Sequence, residues 1–219
     1  MPESSIKRDV LTKGYTFVEN LSPHADIFEL ANAIGTPIVP KDGGAFQKLV
    51  PKALATPNTY SGIYGLARFP FHTDLAHWRI PPRYLLLRCQ IGYDDVSTLL
   101  ADGKDLVASV TTDTLSRAIV RARRPIGGKH SLQRLYETLE TGHCFRWDET
   151  FIVPASKMGE VARQSVIDWL LQCSTTSIAL ARKNDTLIID NWRMLHSRSQ
   201  VPAGRENRTI ERVYLRELK

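Results

Sequence analysis

Two segments more than a hundred residues apart carry the side chains best suited to chemistry. The first is Phe71-His72-Thr73-Asp74. On an extended strand alternate residues share a face, so His72 and Asp74 point the same way and can grip one ion. The second is Asp190-Asn191-Trp192-Arg193-Met194-Leu195-His196-Ser197-Arg198, where a single histidine follows a predicted strand 122 residues beyond Asp74. Two histidines and a carboxylate on one face of a metal leave three positions open. Fe(II) oxygenases use that arrangement, because substrate, co-substrate and oxygen must all reach the ion. An isolated H-x-D is a weak signal, since the pattern is common and a lone later histidine more often serves packing. The two segments in order are far more specific. A third segment, Arg205-Glu206-Asn207-Arg208-Thr209-Ile210-Glu211-Arg212-Val213-Tyr214, reads as a strand with arginine at regular intervals.

These side chains need a scaffold, and the pattern supplies one. Tyr84–Ile91, YLLLRCQI, is a core-strand candidate set off by Pro81-Pro82 and Gly92. Shorter apolar runs at 64–69 and 96–100 flank it. In the last third, 177–182, 186–190 and 209–215 read as strands, and a further strand is predicted over 144–153. Helical periodicity appears over 24–34, ended by Gly35-Thr36-Pro37, and over 156–173, capped by Ser156 with Met158, Val161, Val166, Trp169 and Leu170 as its apolar stripe. Between them, 106–124 and 131–141 read as helices with Thr112 and Ser131 as candidate N-caps. The stretch 41–62, rich in Lys, Gly, Pro, Thr and Asn, reads as an irregular loop. Strands at both ends with helices between predict an α+β domain in which a sandwich or barrel carries a helical insertion.

In Phe-His-Thr-Asp, in Pro81-Pro82-Arg83-Tyr84-Leu85-Leu86-Leu87-Arg88-Cys89, in Arg146-Trp147-Asp148, and in the run from Lys183-Asn184-Asp185 through Asp190-Asn191 to Leu195-His196-Ser197-Arg198, the chain resembles the taurine dioxygenase-like (TauD/TfdA) and clavaminate synthase-like 2-oxoglutarate oxygenases. The closing Arg208-Thr209-Ile210-Glu211-Arg212 is similar to that family's last strand, with two arginines four apart. The resemblance covers roughly residues 60–215. It implies a double-stranded β-helix (jelly-roll) core with flanking helices, in one domain over 1–219. Core strands would lie at about 60–100 and 144–216, and a compact helical insertion at about 105–141. It implies Fe(II) held by His72, Asp74 and His196, with 2-oxoglutarate and O2 as co-substrates. Arg208 matches the arginine that clamps the far carboxylate of 2-oxoglutarate, a role suited to a fork that stays charged at every working pH. Thr98 matches the threonine that supports the same carboxylate, although Ser97 is adjacent and a one-residue slip reverses the face. Arg212 would bind an acidic substrate group or assist the co-substrate. Arg68, Tyr64 and Tyr60, just ahead of the metal segment, would help form the substrate pocket. His77 reads as a pocket or packing residue, and Trp78, Arg79 and Arg83 as residues at the mouth. Related halogenases replace the carboxylate by Gly or Ala; Asp74 makes oxygenation the expected chemistry. The chain is shorter than most members, and Tyr93-Asp94-Asp95 stands where Gly-Gly is usual. A site opened in this way, or completed by a second copy, keeps a homo-oligomer among the expectations.

Composition limits the partners. The 219 residues include 29 basic and 23 acidic side chains, a net charge of +6. No stretch is long and apolar enough for a membrane span, and the first ten residues lack the core of a secretory signal. The three cysteines, Cys89, Cys144 and Cys173, form neither a zinc-type pair nor a disulfide framework, so reduced thiols in a cytoplasmic protein are expected. The run Arg117, Arg121, Arg123, Arg124 reads as the solvated face of a helix. Aromatic residues are not interleaved with it, which argues against a nucleic-acid groove. The expected substrate is a small, acidic molecule such as an amino-acid derivative or natural-product intermediate. The alternative from another class is a basic binding module for nucleic acid or an anionic partner.

Overall fold

A computed structural model of the protein describes residues 3–39, 46–53 and 55–219. Fourteen strands and six helices lie among them. The principal sheet runs β1(Tyr15–Val18), β12(Thr186–Asp190), β4(Tyr84–Ile91), β14(Thr209–Leu218), β2(Gly35–Ile38), with β3(Phe46–Leu49) also paired to β14. A smaller sheet of β11(Thr176–Ala179), β5(Ser97–Asp102) and β13(Met194–Arg198) faces it, and every pairing in both sheets is antiparallel.

The alternation along YLLLRCQI explains its lack of polar positions. Leu85, Leu87 and Cys89 enter the space between the sheets, beside Leu100, Leu187, Ile189, Met194, Ile210 and Tyr214. Tyr84 and Leu86 point the other way, against α1(Glu3–Lys13) and α2(Ile27–Ile34). Each face is covered, so the strand is apolar on both. Removing a leucine from either side exposes a cavity that costs roughly 2–5 kcal/mol. Arg88, on the outer face and fully buried, donates to the carbonyls of Leu21, Ser22 and Ala25 and to Asn184 Oδ1. It thereby ties down the turn where Asp26 caps α2 in a capping box with Glu29.

The outer face of the small sheet is closed by α4(Gly103–Val110), α5(Thr112–Arg117) and α6(Lys157–Leu170). Helix α6 begins at the predicted Ser156 cap, and Gly159, Ala162 and Val166 form its buried face. Of the predicted stripe, Met158, Val166, Trp169 and Leu170 pack against the core as expected, and Val161 alone is exposed.

The middle of the chain departs from expectation. The segment 106–124 is helical only to Arg117; β6(Ile119–Ala122) follows, pairing with β7(Leu132–Arg134) and β10(Ile152–Pro154). The predicted helix over 131–141 is instead β7 and β8(Tyr136–Leu139), the latter in a hairpin with β9(Gly142–Phe145). The expected helical insertion at 105–141 is therefore half strand. Gly127 and Gly128, both at positive φ, make the tight turn that joins β6 to β7, with Ile126 and Lys129 bridged across it. Arg117 closes α5, Arg121 lies on β6, and Arg123 and Arg124 follow it, so the basic run is no helical face. The predicted strand over 144–153 is broken by a turn at Asp148. Between residues 60 and 83 the only pairing is the isolated bridging of His72; 60–64 is the short helix α3(Tyr60–Tyr64). The expected loop at 41–62 contains β3 and the start of α3, while its residues 41–45 and 54 lie outside the described set.

Candidate metal centre

His72 and His196 are locked to each other through the backbone. The His72 amide donates to the His196 carbonyl at 3.0 Å, and the His196 amide returns the bond at 2.9 Å. This antiparallel bridge brings the two predicted segments together along β13, the edge strand of the small sheet. On its other side His72 bridges Asp148, supported by Thr73, whose amide donates to the Trp147 carbonyl at 2.7 Å. The H-x-D pair is thus one bridged residue and one turn residue, where a full strand was expected. Leu75 takes up the reversal at φ 55, an uncommon conformation for a branched residue. Asn191, in the turn between β12 and β13, holds Asp74 from both sides. Its Oδ1 accepts from the Asp74 amide at 2.7 Å, and its Nδ2 donates to the Asp74 carbonyl at 3.0 Å.

The donor atoms meet inside. His72 Nε2 stands 3.4 Å and His196 Nε2 3.5 Å from Asp74 Oδ1, and one ligand atom from each of the three residues lies within 4.8 Å of the others. Two ligands at right angles about 2.1 Å from one ion stand roughly 3.0 Å apart, so a small inward adjustment suffices. The Nδ1 of His72 lies 2.9 Å from the Pro70 carbonyl, a bond that requires its proton there and leaves Nε2 free to bind metal. All three residues are buried. Two nitrogens and one oxygen suit a divalent first-row metal, and the group fits it.

Electrostatics around the triad are uneven. Burial would raise the Asp74 carboxyl, but the Arg212 guanidinium and the two histidines outweigh it and hold Asp74 well below the usual range. Burial and the neighbouring His72 lower His196, whereas Asp74 and Asp148 overcome burial and raise His72. Asp148 is itself pushed up, chiefly by burial. Its Oδ1 accepts from the amides of Thr150 and Phe151, and among the described residues it forms no ion pair.

The other predicted residues divide into those gathered here and those that are not. Tyr60 stacks on the His72 ring at 4.3 Å, and Tyr64 bonds Thr150 Oγ1 at 2.9 Å. Thr98 stands directly across from Ile178 and Arg198, on the face that carries Leu100 and His196; Ser97 turns away with the faces of Leu99 and Ala101. Arg208 is buried beside Cys89 and near Arg198. Its side chain has no hydrogen-bond or ion-pair partner among the described residues, its Nε is fully enclosed, and burial pulls its pKa down to about 10. Arg212 donates to Asp74 Oδ2 at 2.6 Å and to Gln47. Arg68 is exposed over the Phe71 ring, on the side of α6, and is not drawn into the centre. His77 lies outside the ligand group. Arg79 pairs with Glu137 at the surface, and Arg83 lies between Tyr84 and Trp192. Sequence reasoning missed Asn191, Tyr214 and Gln47. Asn191 was quoted in the run leading to His196 with no role assigned to it, and Gln47 lay in a segment read as loop.

No protein-family model matches the chain, and no curated protein matches it. Solved structures do. The asparagine oxygenase complex with Fe(II), 2S,3S-3-hydroxyasparagine and succinate superposes with a TM-score of 0.72 at 15% identity, over 97% of this chain and 77% of that one. PvcB, an Fe, alpha-ketoglutarate dependent oxygenase from an isonitrile synthetic pathway, gives 0.68 at 17% identity, over 98% and 80%. The non-heme iron oxygenase OrfP with Fe, succinate and (3S)-hydroxy-L-Arg gives 0.67 at 16%, over 97% and 78%. The chain therefore has the double-stranded β-helix fold found in these oxygenases, as the family resemblance implied.

Proposed function

We propose that the protein is an Fe(II)- and 2-oxoglutarate-dependent oxygenase that hydroxylates a C–H bond of a small substrate. Two observations carry the reading: the buried His72–Asp74–His196 group, and Arg208, a buried guanidinium with no hydrogen-bond or ion-pair partner among the described residues. A buried cation without a partner is costly. Arg208 and Thr98 would hold the far carboxylate of 2-oxoglutarate, and that pairing would remove the cost. Iron, when bound with 2-oxoglutarate and O2, supplies the oxidant for C–H cleavage. The chain's contribution is placement. His72 and His196 are fixed by their mutual backbone bonds, Asp74 by Asn191, and Tyr60 covers the His72 ring. A substrate held in that setting presents one C–H bond to the metal, and position decides the product.

The substrate class in this reading is an acidic amino-acid derivative or natural-product intermediate, handled as a free small molecule. Two neighbours of the fold are described with hydroxylated amino acids, a hydroxyasparagine and a hydroxy-L-Arg, which supports an amino-acid substrate and leaves its acidic character to the proposal. Asp148, a buried carboxylate beside His72 and Tyr60, offers a place for an amino group of such a molecule. The family within the fold is proposed to be the taurine dioxygenase-like and clavaminate synthase-like one, on the motifs quoted above. A cytoplasmic location accords with three free thiols; among the described residues no helix is long and apolar enough to cross a membrane.

The test is succinate formation from 2-oxoglutarate, screened across amino acids and their acidic derivatives under air with Fe(II). At least one should stimulate turnover, and Asp74→Ala should abolish it. Unchanged stimulation in Asp74→Ala would remove the triad from the mechanism.

A further inference from the structure

Asp74 uses only one of its oxygens toward the two histidines. Oδ1 faces both Nε2 atoms, at 3.4 and 3.5 Å, while Oδ2 faces β14. There it accepts from Arg212 Nη1 at 2.6 Å and from the Tyr214 hydroxyl at 3.1 Å. Arg212 and Tyr214 are alternate residues of β14, opposite Leu87 and Leu85, and both project into the space between the sheets. The Arg212 fork is fixed in turn by Gln47, whose Oε1 accepts from Nε and Nη2. Gln47 is the cross-strand partner of Arg212 on β3, so its position follows from strand register. Three of the five guanidinium N–H groups are thereby engaged by the chain itself.

Resting on the functional reading above, we propose that Gln47, Arg212 and Tyr214 form a clamp that reserves Asp74 Oδ2 and keeps Asp74 a one-oxygen metal ligand. Arg212 is then a positioning residue, and the substrate's acidic group is bound elsewhere. The chemistry is simple. A carboxylate free on both sides can chelate a metal with two oxygens and fill a coordination position. A second oxygen already held by a charge-assisted bond and a hydroxyl is not free to do so. The position it would take stays open for exogenous ligands. Bonds to the outer oxygen also orient the inner one, and partners of this kind commonly change metal affinity 10–100-fold on removal.

The experiment titrates the metal-free protein anaerobically with Co(II), reading affinity and the intensity of the visible ligand-field bands, which falls as coordination number rises. Arg212→Leu should weaken Co(II) binding roughly 10–100-fold and change the bands toward a higher coordination number. Arg212→Lys, which keeps the charge and loses the fork, should recover part of the affinity. Tyr214→Phe should move affinity and bands in the same direction by less. Wild-type affinity and an unchanged spectrum in both Arg212→Leu and Tyr214→Phe would overturn the clamp. If Arg212→Leu fails to fold, Tyr214→Phe and Gln47→Leu, which keep the Arg212–Asp74 pair, decide it, and wild-type behaviour in both overturns it. Adding 2-oxoglutarate separates the two readings. Clamp-dependent Co(II) spectra with no response to 2-oxoglutarate would sink the proposed function and leave the clamp. A normal response with inert clamp variants would sink the clamp alone. A wild type that binds no Co(II) overturns both.

Discussion

Arg208, just ahead of β14, and Arg212, within it, stand four residues apart, and both are drawn inward, yet their surroundings are opposite. Arg212 meets Asp74, Gln47 and the Tyr214 ring, and although burial alone would lower its pKa, the Asp74 charge keeps it raised. Arg208 meets no acceptor among the described residues, and burial depresses it. Under the proposed function, Arg212 is a cation that completes the protein and Arg208 a cation that awaits an anion. A guanidinium enclosed without a partner is tolerated where a ligand supplies one, and such positions mark function. The same comparison extends to the surface: Arg124 is exposed, with no ion pair among the described residues, and water satisfies it at no cost.

Substitutions should pull the two arginines apart. The largest effect is expected from Arg208→Leu, which should weaken 2-oxoglutarate at least about 30-fold, since losing a buried charge-assisted pair costs roughly 2–5 kcal/mol. Its metal affinity, measured by the same titration without 2-oxoglutarate, should stay within about threefold of wild type. A comparable loss of metal affinity would merge the two roles. The double variant Arg208→Leu/Arg212→Leu should show additive losses in metal binding to within about 0.5 kcal/mol, as two independent sites do. Leu85→Ala, in the core behind both, should lower unfolding free energy by roughly 2–5 kcal/mol in denaturant. Arg124→Glu is expected to shift stability by under about 0.5 kcal/mol and to leave turnover intact, as an exposed site should. A large effect there would revive the basic surface as a binding face.

How much of this was legible beforehand depended on what kind of signal each residue carried. His72, Asp74, His196 and Arg208 could be singled out because chemistry restricts the residue type and the motifs follow a known order; the structure gathers the first three and buries the fourth. Strand β4 was readable because both of its faces are buried. The choice between Thr98 and Ser97 needed register: Thr98 stands opposite Ile178 and Arg198, and only pairing shows that. The helix predicted over 106–124 failed beyond Arg117, and that over 131–141 failed throughout, because short, polar strands share their composition with solvated helices. Their order comes from β10 and the Gly127-Gly128 turn. Gln47 was invisible for a related reason, since an edge strand of four residues carries almost no periodic signal. Arg212 was singled out for a substrate or co-substrate role, while its pairing with Asp74 was not legible, because Asp74 lies 138 residues away.

The central claim is that His72, Asp74 and His196 hold Fe(II) while Arg208 receives 2-oxoglutarate at the same centre. Anaerobic addition of Fe(II) and 2-oxoglutarate to the wild-type protein tests it most directly. A weak visible charge-transfer band should appear, saturate with 2-oxoglutarate, and be lost in His196→Ala and in Arg208→Leu at the same ligand concentration. A wild-type protein that develops no such band at saturating Fe(II) and 2-oxoglutarate, or a band that persists unchanged in His196→Ala, would contradict the account.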